Sequence, residues 1–178
     1  WPVNVRRGAL GLLLRTDDDQ GVWRVRRVLS ETPRDPVLAA VAIARVPELR
    51  RLGVSQTFGA LIPRLSPAEQ VLMVEALSAR GDEGARGVLR AQVSSADSAV
   101  RGAALGAVGA LDGAAAVGVL TKALAGASSP EEAKAVQAAL VGLGGGEDAD
   151  RALIDASRQA AGHDKLPLLD VLSRRGGR

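Results

Sequence analysis

The residues able to do chemistry in this chain are few, and their spacing restricts them further. His163 is the single histidine and there is no cysteine. A cysteine nucleophile, a disulfide, a Cys-ligated zinc site and a multi-histidine metal cluster are therefore excluded. A Ser-His-Asp triad would depend on His163 alone, and no serine stands in a Gly-x-Ser-x-Gly elbow after a strand. His163 lies in Gly162-His163-Asp164, where a helix should begin, and reads as a solvated residue of a cap region. Asp17-Asp18-Asp19-Gln20-Gly21 offers the carboxylates that a hard cation such as calcium takes. An EF-hand loop starting at Asp17 needs Glu at position 28, which is Val28. The run reads instead as acidic capping of the next helix, whose N-terminus carries partial positive charge. Gly142-Leu143-Gly144-Gly145-Gly146 follows a helical pattern rather than a strand and lacks the Lys-Ser/Thr of a phosphate loop. It reads as a turn. The sequence selects no catalytic residue, no metal ligand set and no cofactor site, so the expectation is a protein that is not an enzyme.

One cluster combines an aromatic with basic side chains: Trp23, Arg24, Arg26 and Arg27. On a helix Trp23, Arg26 and Arg27 share a face, while Val22, Val25 and Leu29 form the stripe turned inward. A face of this kind suits phosphates, an acidic partner, or a neighbouring element through a stacked guanidinium. The bland alternative is a charged helix face that is simply solvated. These four residues are the candidate interaction surface. The isoelectric point of about 10.1 overstates the basicity, because the formal net charge is only +3. Neither Tyr nor Cys is present to lose a proton, and 20 of the 23 basic residues are Arg, which titrates last. Residues 1–64 hold 11 basic and 6 acidic groups (+5), leaving 12 and 14 (−2) for residues 65–178. Any basic patch belongs to the first third. With only Trp1, Trp23 and Phe58, an aromatic platform for single-stranded nucleic acid is not expected.

The composition describes a globular chain of 178 residues: 47% apolar, 24% charged, with 32 Ala, 24 Leu and 21 Gly. No uncharged apolar run approaches the roughly 18 residues of a membrane helix, so no membrane span is expected. A chain that opens on Trp1 rather than Met reads as a processed product or an excised segment, and the compartment is left open between cytoplasm and export.

The elements that must carry these residues repeat along the chain. Four segments end in Gly-rich turns: Arg80-Gly81-Asp82, Asp112-Gly113, Gly144-Gly145-Gly146 and Gly176-Gly177. One apolar column precedes them, Met73, Ala104, Val136 and Leu168, at offsets of 31, 32 and 32 residues. A second follows one helical turn later, Leu77, Val108, Leu140 and Leu172, each preceded by Ala76, Ala107, Ala139 or the departing Val171. After the turns, Ala85–Leu89 matches Ala116–Leu120, and Ala149–Leu153 follows more loosely. Each unit is thus a helix, a Gly turn, a second helix and a short loop. Ser66-Pro67-Ala68-Glu69 and Ser129-Pro130-Glu131-Glu132 have capping-box chemistry with Pro at the first helical position, and Ser95-Ala96-Asp97 opens the helix between them, with either Ser95 or Asp97 as its cap. Gly at each turn should end its helix in the left-handed conformation. Gly102, Gly106 and Gly109 within one helix mark either close helix contacts or a weak helix. No segment alternates with a two-residue period, so no strand is expected.

Residues 1–64 are less regular. Helices are expected near 4–15, 20–30, 36–46 and 54–63, with Glu48-Leu49-Arg50-Arg51-Leu52 as a short helical insert between Pro47 and Gly53. These read as two degenerate hairpins preceding the regular repeats of 65–178, in one array spanning 1–178.

Asp97-Ser98-Ala99-Val100-Arg101-Gly102-Ala103-Ala104-Leu105, running through Leu111-Asp112-Gly113, resembles the HEAT-repeat family in its PBS-lyase-like subtype. The layout recurs at 66–93 and 129–160, and its first helix again at 163–176; Pro167 interrupts that last copy near its start. The resemblance implies an all-α, right-handed α-α superhelix (an α-solenoid) of about five helical hairpins, of the kind built into large bacterial multidomain proteins. It implies a non-catalytic scaffold or protein–protein interaction module, its partner another protein or neighbouring domains of the same chain. Two other functions compete: a nucleic-acid-binding HEAT-like domain using the Arg-rich first third, and a bilin lyase or chaperone-like activity invited by the subtype's name.

Overall fold

The computed structural model describes residues 18–160, 162 and 165–176, together with Asn4, Val5, Gly8 and Gly11. Every regular element among the described residues is helical, so the fold is all-α. The α-helices are α1 (Asp18–Ser30), α2 (Pro36–Ile43), α3 (Val54–Gly59), α4 (Pro67–Arg80) and α5 (Glu83–Gln92). They continue with α6 (Ser98–Asp112), α7 (Val117–Ala125), α8 (Pro130–Val141), α9 (Gly146–Gln159) and α10 (Lys165–Gly176). The chain divides into two compact units, Trp1–Ala91 and Gln92–Arg178.

In the first unit, α4 packs against α2, and α1 packs on the other side of α2. Asp35 starts α2 by accepting the amides of Val37 at 3.0 Å and Leu38 at 3.3 Å, with Pro36 at the first helical position. Ser66 starts α4 with both halves of a capping box in place. Ala39, Ala42 and Ile43 of α2 and Met73, Val74 and Leu77 of α4 are buried, and Phe58 of α3 is fully buried. Each fully buried Leu, Met or Phe is favoured by about 1.5–3 kcal/mol over its exposed state.

Several expectations for this region change. The helix near 4–15 lies largely outside the described residues. The expected helices 36–46 and 54–63 end at Ile43 and Gly59, followed by 3-10 turns at Val46–Glu48 and Ile62–Arg64. Pro47 and Pro63 cause this, since each lacks the N–H that an α-helix interior needs. Of the insert at 48–52 only Glu48 is helical, at the end of the first 3-10 turn. Leu49 is extended, and the carbonyls of Val46, Leu49 and Arg51 receive the Arg80 guanidinium instead.

The second unit is built on the sequence register. First helices pack on first helices, α6 on α8 and α8 on α10, while α7 packs on α9. Within a hairpin the helices run antiparallel. An added Cβ at Gly109 of α6 would lie 3.3 Å from Leu120, and Arg101, one end of α6, lines the same cleft as Gly126, beyond the far end of α7. The first column, Met73, Ala104, Val136 and Leu168, is buried throughout, and so are the pairs Ala85/Leu89, Ala116/Leu120 and Ala149/Leu153. The second column holds at Leu77, Val108 and Leu140 but fails at Leu172, which is half-buried; Val171 is the buried residue there.

The turn chemistry is more varied than expected. Gly81 caps α4 in the left-handed region (φ 64°, ψ 8°). Gly113 has φ 54° with ψ −125°, and Gly145 is left-handed but opens α9, because Gly142 with φ −83° closes α8. Asp97 rather than Ser95 caps α6, accepting from Ala99 at 2.9 Å and Val100 at 3.1 Å. At Ser129 only half a capping box forms: its Oγ accepts the Glu132 amide at 3.1 Å, but Glu132 turns to Ser128. Pro167 does not interrupt α10, since it falls in the first turn, where no N–H has an intrahelical acceptor. The stretch Ser98–Ala125 is, by length and composition, apolar enough to cross a membrane, with a mean hydropathy of 1.8 in its 18-residue window. It comprises α6 and α7 around Gly113, and half of the window is buried within the protein.

Candidate interaction surfaces

The sequence-selected cluster sits on α1, whose buried stripe is the expected one: Val22, Val25 and Leu29. Arg27 occupies its last turn, the end where the helix dipole favours a cation. The inward stripe pushes Trp23 out, and it is 57% exposed. The Arg27 guanidinium lies 5.3 Å from the Trp23 ring centroid, an exposed cation–π contact of about 0.5–1 kcal/mol. Arg26 is exposed near them, whereas Arg24 turns along the helix to donate to Gln20 Oε1 at 2.6 Å. Trp23 and Arg27 are therefore brought together, and Arg24 is engaged elsewhere. Asp17 and His163 lie outside the described residues. Among the described residues no group of three or more acids or histidines could hold a metal ion.

A second set of residues escaped the sequence reading: arginines that reach from one repeat to the adjacent one. In the first unit Arg34 donates to Glu69 at 2.7 Å, and in the second Arg101 donates to Glu132 at 2.6 Å. Both acceptors sit at the third position of a first helix, where Glu69 also closes the capping box and Glu132 accepts from Ser128. Burial raises the Glu69 carboxyl, but the Ser66 amide and hydroxyl together with Arg34 outweigh it and hold the pKa below the usual value. Arg101, then the Ser128 hydroxyl and amide, bring Glu132 down to about 2.

At the other end of the first helices, Arg80 and Arg175 occupy equivalent positions immediately before a glycine. Arg175 donates to the carbonyls of Leu140 at 3.2 Å, Val141 at 2.8 Å and Leu143 at 3.2 Å, and to Asp150 at 2.6 Å. Arg80 does the same for Val46, Leu49 and Arg51, with Asp82 as its carboxylate at 2.6 Å. Each guanidinium thereby satisfies orphan carbonyls at the end of the preceding segment. Asp82 also accepts the Ala85 amide at 2.8 Å; burial raises its pKa, but the nearby Ser55 hydroxyl and the hydrogen bonds from Ala85 and Arg80 outweigh that and lower it.

Neither a protein-family model nor a curated protein sequence matches this chain.

The second unit also holds two clefts between helices. One of about 590 Å³ is lined by Thr121, Ala133, Gln137, Ala156, Gln159 and Leu168, among others. The other, of about 490 Å³, occupies the corresponding place one repeat earlier and includes Arg101, Leu105, Lys122 and Glu132. Arg101 and Glu132 are already bonded to each other. The perturbed carboxylates, Glu69, Asp82 and Glu132, are all committed to caps and arginine ties, an arrangement that holds helices together.

Proposed function

We propose that this chain is a HEAT-like α-solenoid, a right-handed superhelix of about five hairpins, acting as a non-catalytic scaffold that presents its surface to another protein or to neighbouring domains. The observation that carries the reading is the stacking of first helices on first helices with arginine ties at separations of 31–35 residues. Arg34–Glu69, Arg101–Glu132 and Arg80 or Arg175 onto the preceding helix end form this set. Such ties join neighbours only, which is the logic of a repeat array. The carboxylates with lowered pKa serve the same ties, and this favours a structural role for them over acid–base chemistry. The candidate contact is the exposed Trp23 with Arg26 and Arg27.

Two measurements test the reading. A compact globule of this length has a radius of gyration of about 16 Å. Five hairpins spaced at ~10 Å should give about 18–19 Å by small-angle scattering; a value of 16 Å would overturn the superhelix. For the partner, a photo-crosslinking residue at position 23 in the producing cells should yield discrete protein adducts. Adducts to nucleic acid alone, matched by salt-dependent retention of duplex DNA on filters, would transfer the function to nucleic-acid binding.

A further inference from the structure

The seam between α8 and α10 departs from the seam before it. Across the α6–α8 seam Arg101 reaches Glu132 at 2.6 Å, and Leu105 is only 1% exposed. An offset of 32 residues puts Ala133 and Gln137 of α8 in the places of Arg101 and Leu105. Ala133 has no side chain that could reach across, and Gln137 sets a half-buried carboxamide where a leucine packs on α6. Both residues line the cleft of about 590 Å³. Two breaks in the register thus coincide at one place, and breaks in local consistency concentrate at functional sites.

The cleft is walled by α7, α8, α9 and α10, all within the second unit, and its volume falls in the range of about 300–1,000 Å³ typical of small-molecule sites. Leu124, Ala156 and Leu168 form its apolar part. The polar groups are the Gln137 and Gln159 carboxamides, the Thr121 hydroxyl and the Lys122 ammonium, and no acid stands among the described lining residues. Thr121 already donates its hydroxyl proton to the Gly118 carbonyl at 3.2 Å. Glu132, which shares the neighbouring cleft with Lys122, is held by Arg101 and Ser128. We infer that this cleft binds a small molecule with an aliphatic body and a carboxylate. Lys122 and the carboxamide N–H groups of Gln137 and Gln159 would take the carboxylate, and the body would lie on Leu124, Ala156 and Leu168. The cleft opens on the α8 side of α10, so a further element packed on the opposite side of α10 would not cover it. This binding is a function additional to the scaffold and does not depend on it.

The probe is octanoate, with octanol and octylammonium as its neutral and cationic counterparts. In proton–nitrogen correlation spectra of the full chain, octanoate should shift the side-chain amide signals of Gln137 and Gln159 saturably. Octanol lacks the charge-assisted bonds and should bind about tenfold more weakly, and octylammonium more weakly still. Gln137→Leu and Ala133→Arg rebuild on α8 what α6 carries. Each should weaken octanoate by about tenfold or more, read from the Gln159 signal. Gln137→Leu should not lower the melting temperature, because a leucine already packs at the equivalent place on α6. Lys122 is exposed, so Lys122→Gln should keep the fold while bringing octanoate down to the affinity of octanol. Equal binding of octanoate and octylammonium would overturn the carboxylate. Binding indifferent to both Gln137→Leu and Lys122→Gln would overturn the site and leave only an amphiphile spread on the surface. Absence of any shift with octanoate overturns the proposal outright, and the scaffold reading stands apart from each of these outcomes.

Discussion

The three glycines of α6 make a steric test of the layered packing, because one helix contains three different surroundings. A glycine in a helix interior costs about 1 kcal/mol relative to alanine, so each Gly→Ala change starts from that gain. At Gly106 an added methyl group meets nothing within 4 Å, and the full gain should appear. At Gly102 the nearest atom is the Ala135 methyl at 3.7 Å, an ordinary contact, so the gain should survive there too. At Gly109 the methyl would lie 3.1 Å from the Ala139 carbonyl oxygen and 3.3 Å from Leu120. That oxygen is α8 backbone and cannot step aside without moving the helix. Overpacking of this kind costs roughly 1–3 kcal/mol, leaving a net loss of about 0–2 kcal/mol. For a chain of this size 1 kcal/mol corresponds to about 2–4 °C in melting temperature. Thermal unfolding by circular dichroism should therefore place Gly106→Ala and Gly102→Ala about 2–4 °C above the parent. Gly109→Ala should range from unchanged to about 8 °C below it. Gly144→Ala should fall further, because its methyl would stand 2.5 Å from the Ala110 carbonyl and would strain the Gly144 to Gly109 backbone hydrogen bond of 3.2 Å. If Gly109→Ala melted as high as Gly106→Ala, α6 and α8 would not approach as closely as described, and the layered packing would be refuted.

Three further outcomes follow from the same packing. Leu140→Ala removes a fully buried member of the second column and should destabilise by about 2–5 kcal/mol in urea unfolding; a loss below 1 kcal/mol would contradict its burial. Arg175→Ala leaves three carbonyls and Asp150 without their donor and should cost about 2 kcal/mol or more, with Arg175→Lys recovering only part, since an ammonium cannot fork among them. Full recovery by lysine would reduce the tie to simple charge. Glu132, with its folded pKa of about 2 below the ordinary 4.5, contributes stability that is present above pH 4.5 and lost as pH falls towards 2. The melting temperature should drop through that window, and Glu132→Gln should lower stability at neutral pH while flattening the acid limb; an unaltered limb would remove Glu132 from the acid response.

Much of the helical layout was legible because burial imposes a periodic pattern. Met73, Ala104, Val136 and Leu168 recur at 31–32 residues since each faces the same kind of neighbour, and the structure buries all four. Capping was legible for a local reason: Ser66 and Glu69 lie three residues apart in sequence and in space. The departures came where a distant group competed. Glu132 left the Ser129 amide for Ser128 and Arg101, and the segment 48–52 gave its carbonyls to Arg80 instead of coiling into a helix. Prolines 47 and 63 were visible, but the helix ends they impose were placed too late.

On α1, the Trp23 and Arg27 pairing follows from their spacing of four, whereas Arg24 is separated from them because adjacent residues on a helix point about 100° apart. The arginine ties were hidden for a different reason. Arg80 and Arg175 bond chiefly to main-chain carbonyls, which leave no mark in a sequence, and their carboxylates differ in position, Asp82 in one case and Asp150 in the other. Two repeats lack the arginine altogether: Leu111 and Leu143 fill its place. Beside Leu143 the Gly144 amide bonds to the Gly109 carbonyl, and backbone meets backbone directly. The Gly-rich runs and the arginines are thus two solutions to one demand, the joining of a helix end to the repeat before it. A glycine solution allows the close approach that a side chain would block; an arginine solution spans a wider gap with a charged fork. The basic character of the chain is partly explained by this need, since Arg34, Arg80, Arg101 and Arg175 are held inside the fold's own seams.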